Sequence, residues 1–63
     1  MAAKFQIYKD KSGEFRWKLI HTNGQMIANS GEGYKAKENA ISGINSVKEN
    51  APTATVEDQT SQE

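Results

Sequence analysis

The chain has 63 residues, 35% of them hydrophobic, with one His and no Cys. That length holds one domain and excludes most enzyme architectures, while the absence of Cys excludes disulfides and thiolate metal sites and a single His builds no zinc site alone. Eight Lys and Arg balance eight Asp and Glu, so net charge gives no reason to expect a nucleic-acid or membrane partner.

Seven of the hydrophobic residues are alanines and one is Met1, which leaves fourteen large apolar side chains. A core that thin in so short a chain calls for a staple, and without Cys or a metal cluster the staple left is a second subunit. Charge is unevenly spread: residues 1–25 carry five basic and two acidic groups, residues 26–63 three and six. A split of this kind can help two chains meet. The start Met1-Ala2-Ala3-Lys4-Phe5 has no apolar leader core, and the cytoplasm is the expected compartment.

Lys4 to Lys9 alternates, with Phe5 and Ile7 on one side and Gln6 and Tyr8 on the other, and Asp10-Lys11-Ser12-Gly13 closes it: a strand, then a turn. Glu14 to His21 alternates over a longer span, with Phe15, Trp17, Leu19 and His21 on one face and Glu14, Arg16, Lys18 and Ile20 on the other. A four-residue loop between these strands would put Phe5 and Ile7 opposite the Trp17 face. A three- or five-residue loop with Gly13 at positive φ puts them on it, and is preferred because it gathers the apolar groups into one layer.

Asn23-Gly24 is the dipeptide of a two-residue type I′ turn. The third strand, Gln25 to Ser30, would then pair His21 with Met26, Ile20 with Ile27 and Leu19 with Ala28, so that Met26 and Ala28 join the Trp17 face. Gly31-Glu32-Gly33-Tyr34 reads as a flexible exit. Lys37 to Asn50 reads as a helix with Ala40, Ile41, Ile44, Val47 and Lys48 on one face. Gly43 weakens that helix by about 1 kcal/mol against Ala, which points to close packing on a strand. Ala51-Pro52 stops it. Thr53 to Asp58, around Thr55 and Val56, carries a short final strand signal, and residues 59–63 are a polar tail expected to be disordered. The expectation is one α+β domain over residues 1–58, in the order β-β-β-α-β, with an antiparallel sheet and one helix packed on a face. Its last strand is too short and polar to stand on its own hairpin, and pairing it with a partner's sheet would cover exposed edges in a homodimer.

The segments Phe5-Gln6-Ile7-Tyr8-Lys9-Asp10, Gly13-Glu14-Phe15-Arg16-Trp17-Lys18-Leu19, Asn23-Gly24-Gln25-Met26-Ile27-Ala28, Gly33-Tyr34 and Ile44-Asn45-Ser46-Val47-Lys48-Glu49-Asn50-Ala51 resemble the YegP-like domain family of small bacterial proteins of unknown function. The similarity runs from Lys4 to about Asp58. It implies a β3-α-β unit, present as two tandem copies or two subunits that form a single sheet and exchange their last strands. It implies no activity and carries over no catalytic residue. One departure is Ala36, where the family pattern leads us to expect Ser or Thr; losing that N-cap acceptor predicts a frayed first turn, a loss of about 1 kcal/mol.

The chemistry-bearing residues read modestly. His21 has no nucleophile or orienting carboxylate near it in sequence and reads as a residue flanking a turn. Glu57 and Asp58 are adjacent on an extended segment, so their side chains point apart and cannot share a substrate bond. Gly31 and Gly33 lack the third glycine of a dinucleotide loop. Trp17 reads as a core anchor. The pattern nearest to a ligand patch is Tyr8, Arg16 and Lys18 on the face away from Trp17, a weak surface for nucleic acid or another anion. No enzyme, cofactor or metal is expected. The reading is a non-enzymatic structural or protein-interaction module, homodimeric through Thr55 and Val56, with weak nucleic-acid or anionic-ligand binding as the alternative.

Overall fold

The computed structural model describes residues 2–60. Three strands, β1 (Lys4–Lys9), β2 (Phe15–Ile20) and β3 (Met26–Asn29), form an antiparallel sheet in the order β1-β2-β3, followed by the helix α1 (Lys37–Asn50) and one 3₁₀ turn at Ala51–Thr53.

Lys9 pairs with Phe15, so the loop between β1 and β2 is the five residues Asp10 to Glu14, and Gly13 sits at φ 86°. The preferred register follows: Ile7 stands opposite Trp17 and Phe5 opposite Leu19. Phe5, Ile7, Phe15, Trp17 and Leu19 therefore share the helix-facing side, while Lys4, Gln6, Tyr8, Arg16, Lys18 and Ile20 share the other.

The second hairpin departs from the expected two-residue turn. No residue other than glycine has positive φ among the described residues, so Asn23 is not in the I′ conformation. Instead the Gly24 amide donates to the His21 carbonyl at 2.9 Å, and the His21 amide to the Gln25 carbonyl at 2.8 Å, with Gly24 at φ 93°. This is a type I turn closed by a left-handed glycine, favoured here because the Asn23 side chain accepts from the Gln25 amide at 2.9 Å. The extra loop residue moves Met26 opposite Ile20 and leaves Ile27 in a bulge, while Leu19 still meets Ala28. Met26 and Ile27 are both more than half exposed, so Met26 is not part of the core as expected.

Beyond β3 the chain stays on β2. Ser30, buried, donates its amide to the Trp17 carbonyl at 2.9 Å, and its hydroxyl accepts from the Trp17 amide at 3.2 Å. Tyr34 then exchanges two backbone bonds with Phe15, at 2.7 and 2.8 Å. The segment read as a flexible exit is thus pinned at both ends.

The residue that caps the helix N-terminus is Ala36, extended at φ −118° with no side-chain cap, as its residue type predicts. Its inner face is Ala40, Gly43, Ile44 and Val47, spaced at i, i+3, i+4 and i+7. Ala40 and Ile44 are buried with Trp17, and Phe5, Ile7, Phe15, Tyr34 and Val47 close around them. Ile41 and Lys48, expected on that face, are exposed, because packing centres on Gly43. A Cβ at Gly43 would lie 2.8 Å from the Tyr34 hydroxyl and 3.2 Å from Trp17 Nε1, so the missing side chain lets the helix approach the indole. Phe5 meets the indole edge-on, with ring centroids 5.6 Å apart.

The expected fourth strand does not form within the chain. After the 3₁₀ turn, residues 54–59 have no regular structure and no strand partner, and Val56 is 95% exposed. Residues 61–63 of the expected disordered tail lie outside the described residues.

Candidate functional site

The sheet side away from the helix is uncovered, and it holds all three residues singled out as a binding surface. Tyr8 stands directly opposite Arg16, and Gln6 opposite Lys18. The register brings Tyr8, Arg16 and Lys18 together, but it does not leave them equally available.

Arg16 is committed to the hairpin loop. Its Nε donates to Asp10 Oδ2 at 2.6 Å, the only ion pair among the described residues. Asp10 Oδ1 accepts from the Ser12 amide at 2.9 Å, the Ser12 hydroxyl at 2.7 Å and the Glu14 amide at 3.0 Å. The Arg16 guanidinium, then the Ser12 hydroxyl and the Glu14 amide, hold the Asp10 carboxyl well below the usual carboxylate range, and the same pair raises Arg16. Asp10 is thus the hub of the turn, and Arg16 closes it rather than presenting a bare cation. Lys18 lies with Nζ 5.2 Å from the centre of the Tyr8 ring, which steadies the long side chain without neutralising it.

Sequence reasoning missed the feature next to these residues. An open cleft of about 610 Å³ is lined by Lys4, Gln6, Lys18, Ile20, His21 and Thr22 among others. Lys4 and Lys18 bring two ammonium groups to it, and no described ion pair neutralises either. Alternation alone puts Lys4 and Gln6 on the face of Tyr8; only the register, with Lys4 opposite Ile20, carries them to Lys18 and the second turn.

The other candidates fall to structural roles. His21 Nδ1 accepts from the Asn23 amide at 3.1 Å and lies 3.3 Å from the Thr22 hydroxyl, so the imidazole stabilises its own turn. Gly33 abuts the Glu14 side chain, an acidic neighbour that disfavours a phosphate in that loop. Glu57 and Asp58 are exposed, and Asp58 accepts from the Thr60 amide at 2.9 Å and hydroxyl at 2.6 Å, which lowers its pKa. Trp17 is a buried core anchor whose Nε1 has no acceptor. Among the described residues no three His, Asp or Glu side chains gather to hold a metal ion, and no helix is long and apolar enough to cross a membrane.

Known proteins match over most of this chain. A UPF0339 protein of Treponema denticola is 55% identical over 56 residues, covering 89% of this chain and 95% of its own length. One from Stutzerimonas stutzeri, described as lying in the ptx operon 5′ region, is 54% identical over 52 residues, 82% of this chain but 46% of its own length. An NMR solution structure of a protein from Haloferax volcanii superimposes with a TM-score of 0.86 at 47% identity, covering 90% of this chain and 95% of that one. That relative is archaeal, so the family reaches beyond the bacteria that the resemblance implied. The UPF0339 relatives remain of unknown function, residues 10–58 match the family model described as a domain of unknown function, DUF1508, and the chain belongs to that family.

Proposed function

We propose that this domain is a non-enzymatic, cytoplasmic interaction module that works as a homodimer, with the segment around Thr55 and Val56 crossing to a second copy. The observation that carries the reading is Val56, an apolar β-branched residue left 95% exposed on an extended segment, while among the described residues the buried apolar core is Trp17, Ala40 and Ile44 alone. Val56 side-chain burial is worth about 1.5–3 kcal/mol, and nothing in its own chain collects it. A partner sheet would. The Stutzerimonas stutzeri relative adds support: this chain spans 46% of its length, leaving room there for a second unit in one polypeptide. The experiment is sedimentation equilibrium of the full chain beside Val56→Asp. A dimer that the substitution dissociates supports the reading, and a wild-type monomer at micromolar concentration overturns it.

The second reading is weak binding of nucleic acid or another anion through Tyr8, Arg16 and Lys18. Lys18 and the neighbouring Lys4 favour it; the Arg16–Asp10 pair counts against it, since a neutralised cation releases few counterions. Oligonucleotide binding lost on Lys18→Ala would raise it above the first.

A further inference from the structure

We infer that the cleft between Lys4 and Lys18 is the seat of Glu57 from a second copy of this chain, so that the uncovered sheet face is an electrostatic half of the dimer contact. This rests on the self-association proposed above and says where the crossing segment lands and what holds it.

The sheet has two free edges, and they are not equivalent. β3 is four residues long and bulged beside Ile20, a feature that blunts an edge, whereas β1 is six residues long and pairs with β2 without irregularity. The open backbone of β1 is the better template. Residues 54–59 are already without partners and reach it from the partner as a ready strand.

Alternation then decides which side chains go where. If Val56 is to bury itself, it must face the helix side, beside Phe5 and Ile7, both only half-buried. Thr55 and Glu57 then face the other side, where Lys4 and Gln6 project from the same edge strand and Lys18 stands opposite Gln6. Charge selects Glu57 in particular. Asp58 is occupied by Thr60, Arg16 by Asp10, and Lys4 and Lys18 share no described ion pair. The cleft is therefore two ammonium groups without an acid, and Glu57 is an acid without a base. A two-fold axis makes the contact twice.

Sedimentation equilibrium of the full chain tests this with Lys18→Glu, Glu57→Lys and the double reversal, each checked for fold by its two-dimensional amide spectrum. Each single reversal should raise the dimer dissociation constant about tenfold, because two equivalent pairs become repulsive, and the double reversal should restore it to within about threefold of wild type. Glu57 lies on an exposed segment outside the core, so Glu57→Lys reports on association even if Lys18→Glu perturbs the sheet. Val56→Asp separates the two levels of the argument. A wild-type dimer that Val56→Asp dissociates but the reversals leave unchanged overturns the seat and keeps the dimer. A monomeric wild type overturns both. A cleft that binds a single-stranded oligonucleotide while the dimer constant ignores the reversals overturns the seat in favour of an anionic polymer.

Discussion

Replacing Gly43 with alanine sets two effects against each other. In a helix interior alanine is favoured over glycine by about 1 kcal/mol, so propensity alone predicts a more stable protein. The new methyl, however, would lie 2.8 Å from the Tyr34 hydroxyl and 3.2 Å from Trp17 Nε1. The hydroxyl can yield by a small swing of its ring. The indole cannot follow as easily, since Trp17 is buried and both of its backbone groups are bonded to Ser30. Overpacking of this kind costs about 1–3 kcal/mol, which leaves a net loss of about 1 kcal/mol, or roughly 4–8 °C in Tm for a domain of this size. Urea unfolding followed by the fluorescence of the single Trp measures it, at one fixed protein concentration because association shifts apparent stability. Ser42, exposed on the same helix, supplies the propensity effect without the contact when Ser42→Ala is compared with Ser42→Gly. A Gly43→Ala protein that gains about 1 kcal/mol would refute the close approach of helix and indole.

Three further outcomes are expected. Ala36→Ser supplies the missing N-cap acceptor and should stabilise the protein by about 1 kcal/mol, read from the same urea curves. Ser30→Ala removes the hydroxyl that accepts from the Trp17 amide at 3.2 Å and should destabilise by about 1–3 kcal/mol, with faster hydrogen exchange at that amide. Asp10 has its folded-state pKa depressed, so its contribution is present above the unfolded-chain value of about 4 and is lost as pH falls through the folded value; Asp10→Asn should flatten that acid limb in thermal melts taken across pH.

Much of the fold was legible because period-two and helical patterns survive in a chain this short. Phe5 and Ile7 against Phe15, Trp17 and Leu19 decided the register of the first hairpin, since the alternative would have split a thin core. Gly43 announced its packing role by standing in a helix at all. The second hairpin was harder, because Asn23-Gly24 serves both a two-residue I′ turn and the three-residue form observed, and the side-chain bond from Asn23 to the Gln25 amide tips the balance. Ser30 carries no signal of its own: a serine after a strand looks like loop until the ladder reaches it. Arg16 and Lys18 look alike in the alternation, and only the folded loop shows that Asp10 neutralises one of them.

What the sequence leaves hardest to read is the sheet edge. A face announces itself through residue type, but the free N–H and C=O groups of β1 are the same for every side chain, so no pattern in Lys4 to Lys9 says what pairs there. The information sits instead in the segment that would do the pairing. Between Ala54 and Asp58 every side chain other than Val56 is small, hydroxylic or acidic and would be content in water. A solvated tail gains nothing from valine, whose stiff, branched side chain is suited to a pleated, half-buried surface. Its exposure in a single chain is what the proposed crossing to a second copy explains, and on that proposal Glu57 beside it brings an acid to Lys4 and Lys18.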